Sequence, residues 1–172
     1  HAHINNYPFW FPSLLIHKRV FADIGYFNEY FAGSLGDDVY WVSRAIIKYP
    51  IYCLKEVMYS YRNNPNSITN DYNNPRKLIM PAVLQKPLSM QSVGKDWLEQ
   101  NDTVSLYNYE QVLLRNKAFM GEQYRLWAAK SIDKGDKKLS KELLKKSFFL
   151  NPLNLTWYKT CLYFFRKAIT AS

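Results

Sequence analysis

The chain has 172 residues, 48% of them hydrophobic and 17% aromatic, which excludes a disordered or low-complexity segment and provides for one substantial core or two small ones. No apolar run approaches the roughly 18 residues of a membrane-spanning helix, and the N-terminus lacks the order of a signal peptide, so a soluble or peripheral, cytoplasmic protein is expected. The net charge of +9 is uneven: residues 1–70 hold six Lys and Arg against five Asp and Glu, and residues 71–172 hold seventeen against nine.

In chain order, "WFPSLLI" reads as a buried strand and "HKRVFADIG" as a short helix closed by Gly25. After a loop, Val39, Val42, Ala45, Ile46 and Tyr49 recur at helical spacing over about 38–49, and Pro50 ends that helix. The β-branched and aromatic runs "IYCL" and "VMYSYR" predict two strands or a hairpin around Lys55 and Glu56. Residues 1–70 therefore read as α/β material with too few strands for a complete doubly wound sheet.

Residues 71–104, rich in Pro and Asn turns, read as a connector with one short helix at most. Residues 105–172 read as a basic helical extension. Its first helix runs to Gly135, Asp136 caps a second, and Asn151 with Pro152 at the first helical position opens a third. Gly135, Ser140, Leu144, Ser147 and Pro152 stand at spacings that resemble half of a tetratricopeptide-like hairpin. The small residues let two helices approach closely, with Leu139, Leu143, Leu144 and Phe148 filling the gap. Lys138, Lys141 and Lys145 share one helix face, with Leu139, Leu143 and Phe148 assigned to another, and an anionic membrane surface is a candidate partner for the lysines. A nucleic-acid partner is not expected, because the lysines lack interleaved exposed aromatics. Cys53 and Cys161, in apolar settings, read as two reduced, buried thiols.

The stretch "SLGDDVYWVSR" places Asp37 and Asp38 side by side at a helix start. Ser34 and Asp37 have capping-box spacing, and acids suit the positive end of a helix dipole. One cap does not require a second carboxylate, and an aspartate held there can also serve as a general base toward a sugar hydroxyl.

The ordered set "FPSLLIHKRVFADIGYFNE", "GDDVYWVSR" and "VMYSYRNNPNSIT" resembles the C-terminal, acceptor-side half of the catalytic domain in bacterial family-two glycosyltransferases of the GT-A fold. The matching residues are Gly25, Phe27, Asn28, Glu29, Asp37, Asp38, Arg44, Tyr59, Tyr61, Arg62 and Ser67. The resemblance implies a partial GT-A α/β domain over 1–70, followed by an all-α extension. It further implies an inverting transfer from a nucleotide-sugar to a saccharide or lipid-linked acceptor, in surface polysaccharide synthesis. Asp38 would be the catalytic base, and Asp37 would help position the acceptor or cap the helix. Arg44 reads as a structural ion-pair partner, and Trp10, Tyr30, Phe31 and Arg62 are candidate substrate contacts.

Two departures accompany it. Asn64 stands where the family often has a histidine, and nothing resembles the nucleotide-binding half with its D-x-D motif. No metal ligand is therefore assigned in this chain, a divalent ion (manganese or magnesium) being expected only in the complete enzyme, and the isolated chain is expected to be inactive. The alternative is a non-enzymatic helical module that binds a protein or an anionic surface, with both acids serving as caps.

Overall fold

The computed structural model describes residues 11–60, 62, 74–91 and 93–170. These residues form seven α-helices: α1 (Lys18–Ile24), α2 (Asp37–Lys48), α3 (Pro75–Gln91), α4 (Thr103–Arg115), α5 (Lys117–Asp133), α6 (Lys137–Leu150) and α7 (Leu155–Thr170). The chain divides into two compact units, 1–106 and 107–172, with the division inside α4.

In the first unit, α1 begins where His17 accepts a hydrogen bond from the Arg19 backbone, and it stops at Gly25, whose φ of 84° is open to glycine at little cost. Packing of α1 on α2 is aromatic. The Trp41 ring lies 4.8 Å from Phe21 and edge-on to Phe11 at 6.1 Å, over a core that includes Ile24, Val42 and Ala45. Each such pair contributes about 0.5–1.5 kcal/mol beyond the area that it buries. The Trp41 indole N–H also donates to the Gly25 carbonyl at 2.7 Å, fixing the end of α1 against α2.

The buried face of α2 comprises Tyr40, Trp41, Val42, Ser43 and Ala45, whereas Ile46, one of the residues expected at the apolar stripe, is exposed. The two large aromatic side chains turn the helix toward themselves. Below it lies α3, a helix of 17 residues where one short helix at most was expected. Leu78, Ile79, Met80, Val83 and Leu84 of α3 are almost wholly buried, although Pro81 and Pro87 each remove a backbone donor from the helix interior. Burial of that face outweighs the propensity that hid the helix from a local reading.

Among the described residues there is no strand, and this overturns the α/β expectation together with the resemblance to a partial GT-A domain. In "WFPSLLI", Phe11–Ser13 form a 3-10 turn closed by the Leu14 N–H on the Phe11 carbonyl, and Leu15 is fully exposed. Residues 51–60 are irregular and exposed along their whole length, including Tyr52, Leu54, Val57 and Met58. β-Branched and aromatic residues favour a pleated, half-buried surface, and such a surface exists only where a neighbouring strand supplies the ladder. Cys53, expected to be buried, is exposed with that segment, and Cys161 is half-buried.

The second unit is built on α5 and α6. The single long helix expected before Gly135 is broken at Asn116, whose side chain caps α5 by accepting from the Phe119 N–H at 3.0 Å. Asp136 caps α6 as expected, accepting from Leu139. The two helices then approach closely. Ser140 Oγ lies 3.0 Å from Ser131 Oγ at one end, and Ser147 Oγ donates to the Gly121 carbonyl at 2.7 Å near the other. A Cβ on Gly121 would stand 2.8 Å from the Asn151 Cβ and 3.2 Å from the Ser147 carbonyl oxygen, so only glycine fits there. Leu143 and Leu144 are buried as expected, while Phe148, expected to fill the gap with them, is exposed at the edge of a groove that also contains Lys141 and Lys145. The last helix begins at Leu155 rather than Pro152, because Asn154 supplies the cap by accepting from the Thr156 N–H, which leaves Pro152 in the preceding turn.

Candidate functional site

The acidic pair stands at the first turn of α2, and the loop before it is tied down from both sides. Asn28 accepts from the Tyr30 N–H at 2.9 Å to start a 3-10 turn over Glu29–Phe31. The Arg76 guanidinium of α3 donates to the Tyr30 carbonyl at 2.7 Å and lies over the Tyr30 ring. Gly36 then takes a φ of 109°, and a Cβ there would meet Leu84 at 3.3 Å and Phe31 at 3.6 Å. The positive φ favours glycine, and a Cβ would also press the end of the Leu84 side chain.

Gly36 is itself the N-cap, with no side-chain cap bond, so the capping box expected from Ser34 and Asp37 does not form. Ser34 Oγ is buried without a hydrogen-bond partner among the described residues. Neither carboxylate serves as the N-cap. Asp38 Oδ1 accepts from the adjacent Val39 N–H at 2.7 Å, and the Asp38 carboxyl also receives its own backbone N–H. Burial raises the Asp38 carboxyl above its ordinary value of 3.8, and the Asp37 charge adds to this; the Val39 N–H opposes both. Asp38 is thus a half-buried carboxylate shifted toward stronger basicity.

The other expected contacts are not gathered around this carboxylate. Tyr30 and Phe31 lie in the core, ring edge against ring face at 5.1 Å, with Phe31 also packed on Tyr40, so neither presents a face to a ligand. Arg62 is exposed, outside any helix, and Trp10, Tyr61, Asn64 and Ser67 lie outside the described residues. Arg44 pairs with Glu99 at 3.4 Å and stacks its guanidinium over the Tyr40 ring, as a structural partner does. Among the described residues no three His, Cys, Asp or Glu side chains converge on a position that would hold a metal ion.

A buried polar pair went unforeseen. The Asp96 side chain, fully buried, accepts from the Tyr40 hydroxyl at 2.8 Å and from the Leu98 N–H at 2.9 Å, tying α2 to the turn before α4. Burial and the Asp96 carboxylate push the Tyr40 hydroxyl far above its ordinary value, so it remains a donor. The Asx-turn spacing within "KDWL" was the local signal; the 56-residue separation from Tyr40 concealed the partner.

No helix among the described residues is long and apolar enough to cross a membrane. Comparison of the chain with protein-family models, with curated proteins and with solved structures yields no match.

Proposed function

We propose that the chain supplies the acceptor-activating carboxylate of an inverting sugar transfer, as the C-terminal portion of the active unit. The observation that carries this reading is Asp38: a half-buried carboxylate in the first turn of α2, raised by burial, where Gly36 rather than either acid is the N-cap. In the reaction, the acceptor hydroxyl gives its proton to Asp38 as its oxygen attacks the anomeric carbon of a nucleotide-sugar. The bond to the nucleoside diphosphate breaks on the opposite face. A raised carboxyl accepts that proton with greater driving force. Asp37 holds a second acceptor hydroxyl, and the donor nucleotide binds outside the residues described here. The free cysteines Cys53 and Cys161 agree with a reducing, cytoplasmic site for this chemistry.

The experiment is nucleoside diphosphate release from a panel of nucleotide-sugars, with saccharide and lipid-linked acceptors, by the protein in its natural length. Asp38→Asn is expected to lower turnover by roughly two to four orders of magnitude, the range of a lost general base, and Asp37→Asn by less. Undiminished turnover in Asp38→Asn removes this residue from the mechanism.

A further inference from the structure

The second unit carries an apolar strip that its own core does not use. Helix α7 is anchored to the rest of the unit through one side: the Trp157 indole donates to the Leu144 carbonyl at 2.8 Å, Thr160 accepts from Arg125 at 3.0 Å, and Phe164 is buried. The opposite side presents Leu155, Tyr158, Leu162, Phe165 and Ile169, spaced alternately by three and four residues along about 21 Å of helix. Leu155 is 77% exposed, Leu162 62% and Ile169 75%, so the strip is bare rather than half-covered.

The charges around the strip identify its occupant. No Asp or Glu occurs in α7, and Lys159 and Arg166 run along one border, seven residues apart. The other border is an open groove of about 350 Å³ between α6 and α7, lined by Phe148 and Phe165 and edged by Lys141 and Lys145. The unit as a whole holds thirteen Lys and Arg against five Asp and Glu. A second copy would bring these cations against their own equivalents, a like-charge arrangement that opposes pairing. Cations on both borders with apolar side chains between them suit a headgroup layer: the side chains enter the acyl boundary while the ammonium groups of Lys141, Lys145 and Lys159 meet lipid phosphates.

We propose that α7 and the end of α6 form a docking face for an anionic bilayer, with Leu155, Leu162 and Ile169 as the inserting side chains. This stands independently of the reading of Asp38. It also differs from attraction through the α6 lysines alone, because it requires the apolar strip.

The test is co-flotation of the whole chain with vesicles of phosphatidylcholine alone and of phosphatidylcholine mixed with phosphatidylglycerol, at low and moderate salt. Binding is expected only to the anionic vesicles and is expected to weaken as salt rises. Leu162→Gln with Ile169→Gln should lower partitioning by about tenfold or more while helicity by circular dichroism is retained, because both side chains are exposed. Lys145→Gln with Lys159→Gln should weaken it as well. Failure to float with anionic vesicles at low salt overturns the proposal, as does binding that survives Leu162→Gln with Ile169→Gln. Concentration-dependent dimerisation abolished by Leu162→Gln would assign the strip to a second copy. Saturable binding of a synthetic acidic amphipathic peptide, without flotation, would assign it to a protein partner.

Discussion

Asp38 and Tyr40, two residues apart, respond oppositely to substitution because one is a charge held against its preference and the other satisfies one. The Asp38 carboxyl is raised by burial, so its folded value lies above the unfolded one. Stability that depends on its protonation is fully present below the ordinary value of 3.8 and is lost as pH rises through the folded value. Asp38→Asn should therefore raise the melting temperature at neutral pH, with the gain vanishing in strong acid, as thermal scans by circular dichroism across that range would record. A lower melting temperature at neutral pH would mean that the carboxylate serves the helix start after all. Tyr40→Phe leaves the buried Asp96 with one donor fewer and should destabilise the fold by about 1–3 kcal/mol, measurable by urea titration.

At the scale of elements, the second unit depends on how closely its helices meet. Gly121→Ala forces a methyl group to 2.8 Å from Asn151 and should cost about 1–3 kcal/mol, since the neighbours are backbone and a capping turn rather than flexible ends. A second tie joins α5 to α7: Glu122 is held by Arg125 and accepts from Asn154 at 2.8 Å. Arg125 foremost, with Asn154, keeps the Glu122 carboxyl below its ordinary value of 4.5. Its contribution is present above that value and is lost as pH falls through the lowered one. Acid unfolding of Glu122→Gln should accordingly begin from a lower stability near neutrality and show a shallower decline below pH 4.5, seen as converging denaturation midpoints for the two proteins.

For the whole molecule, the division at residue 106 predicts two unfolding transitions rather than one. Differential scanning calorimetry of the chain and of its variants checks this directly. Gly121→Ala should lower one transition and leave the other in place, whereas Tyr40→Phe should do the reverse. A single transition moved equally by both substitutions would show that the units unfold as one.

Several local features were legible in the sequence because their determining residues lie within a turn of one another, although the Asn116 and Asn154 caps, equally local, were not. The Gly25 stop, helix α2 over about 38–49, the Asp136 cap and the small residues that meet between α5 and α6 all follow from spacing that a short window contains. The acidic pair was legible too, but not its circumstances: the cap is Gly36, and the burial that shifts Asp38 depends on the folded surroundings. Tertiary structure alone decided the rest. The runs around Leu14 and Tyr52 have strand-like composition, yet no neighbouring strand among the described residues gives them a ladder, and α3 is helical despite Pro81 and Pro87. Strand and Pro-bearing helix alike depend on partners distant in sequence, since a ladder needs a second chain segment and a broken helical hydrogen bond needs a buried face to offset it. The pairing of Tyr40 with Asp96 across 56 residues has the same cause: a buried charge is tolerated only where folding brings its donor to it.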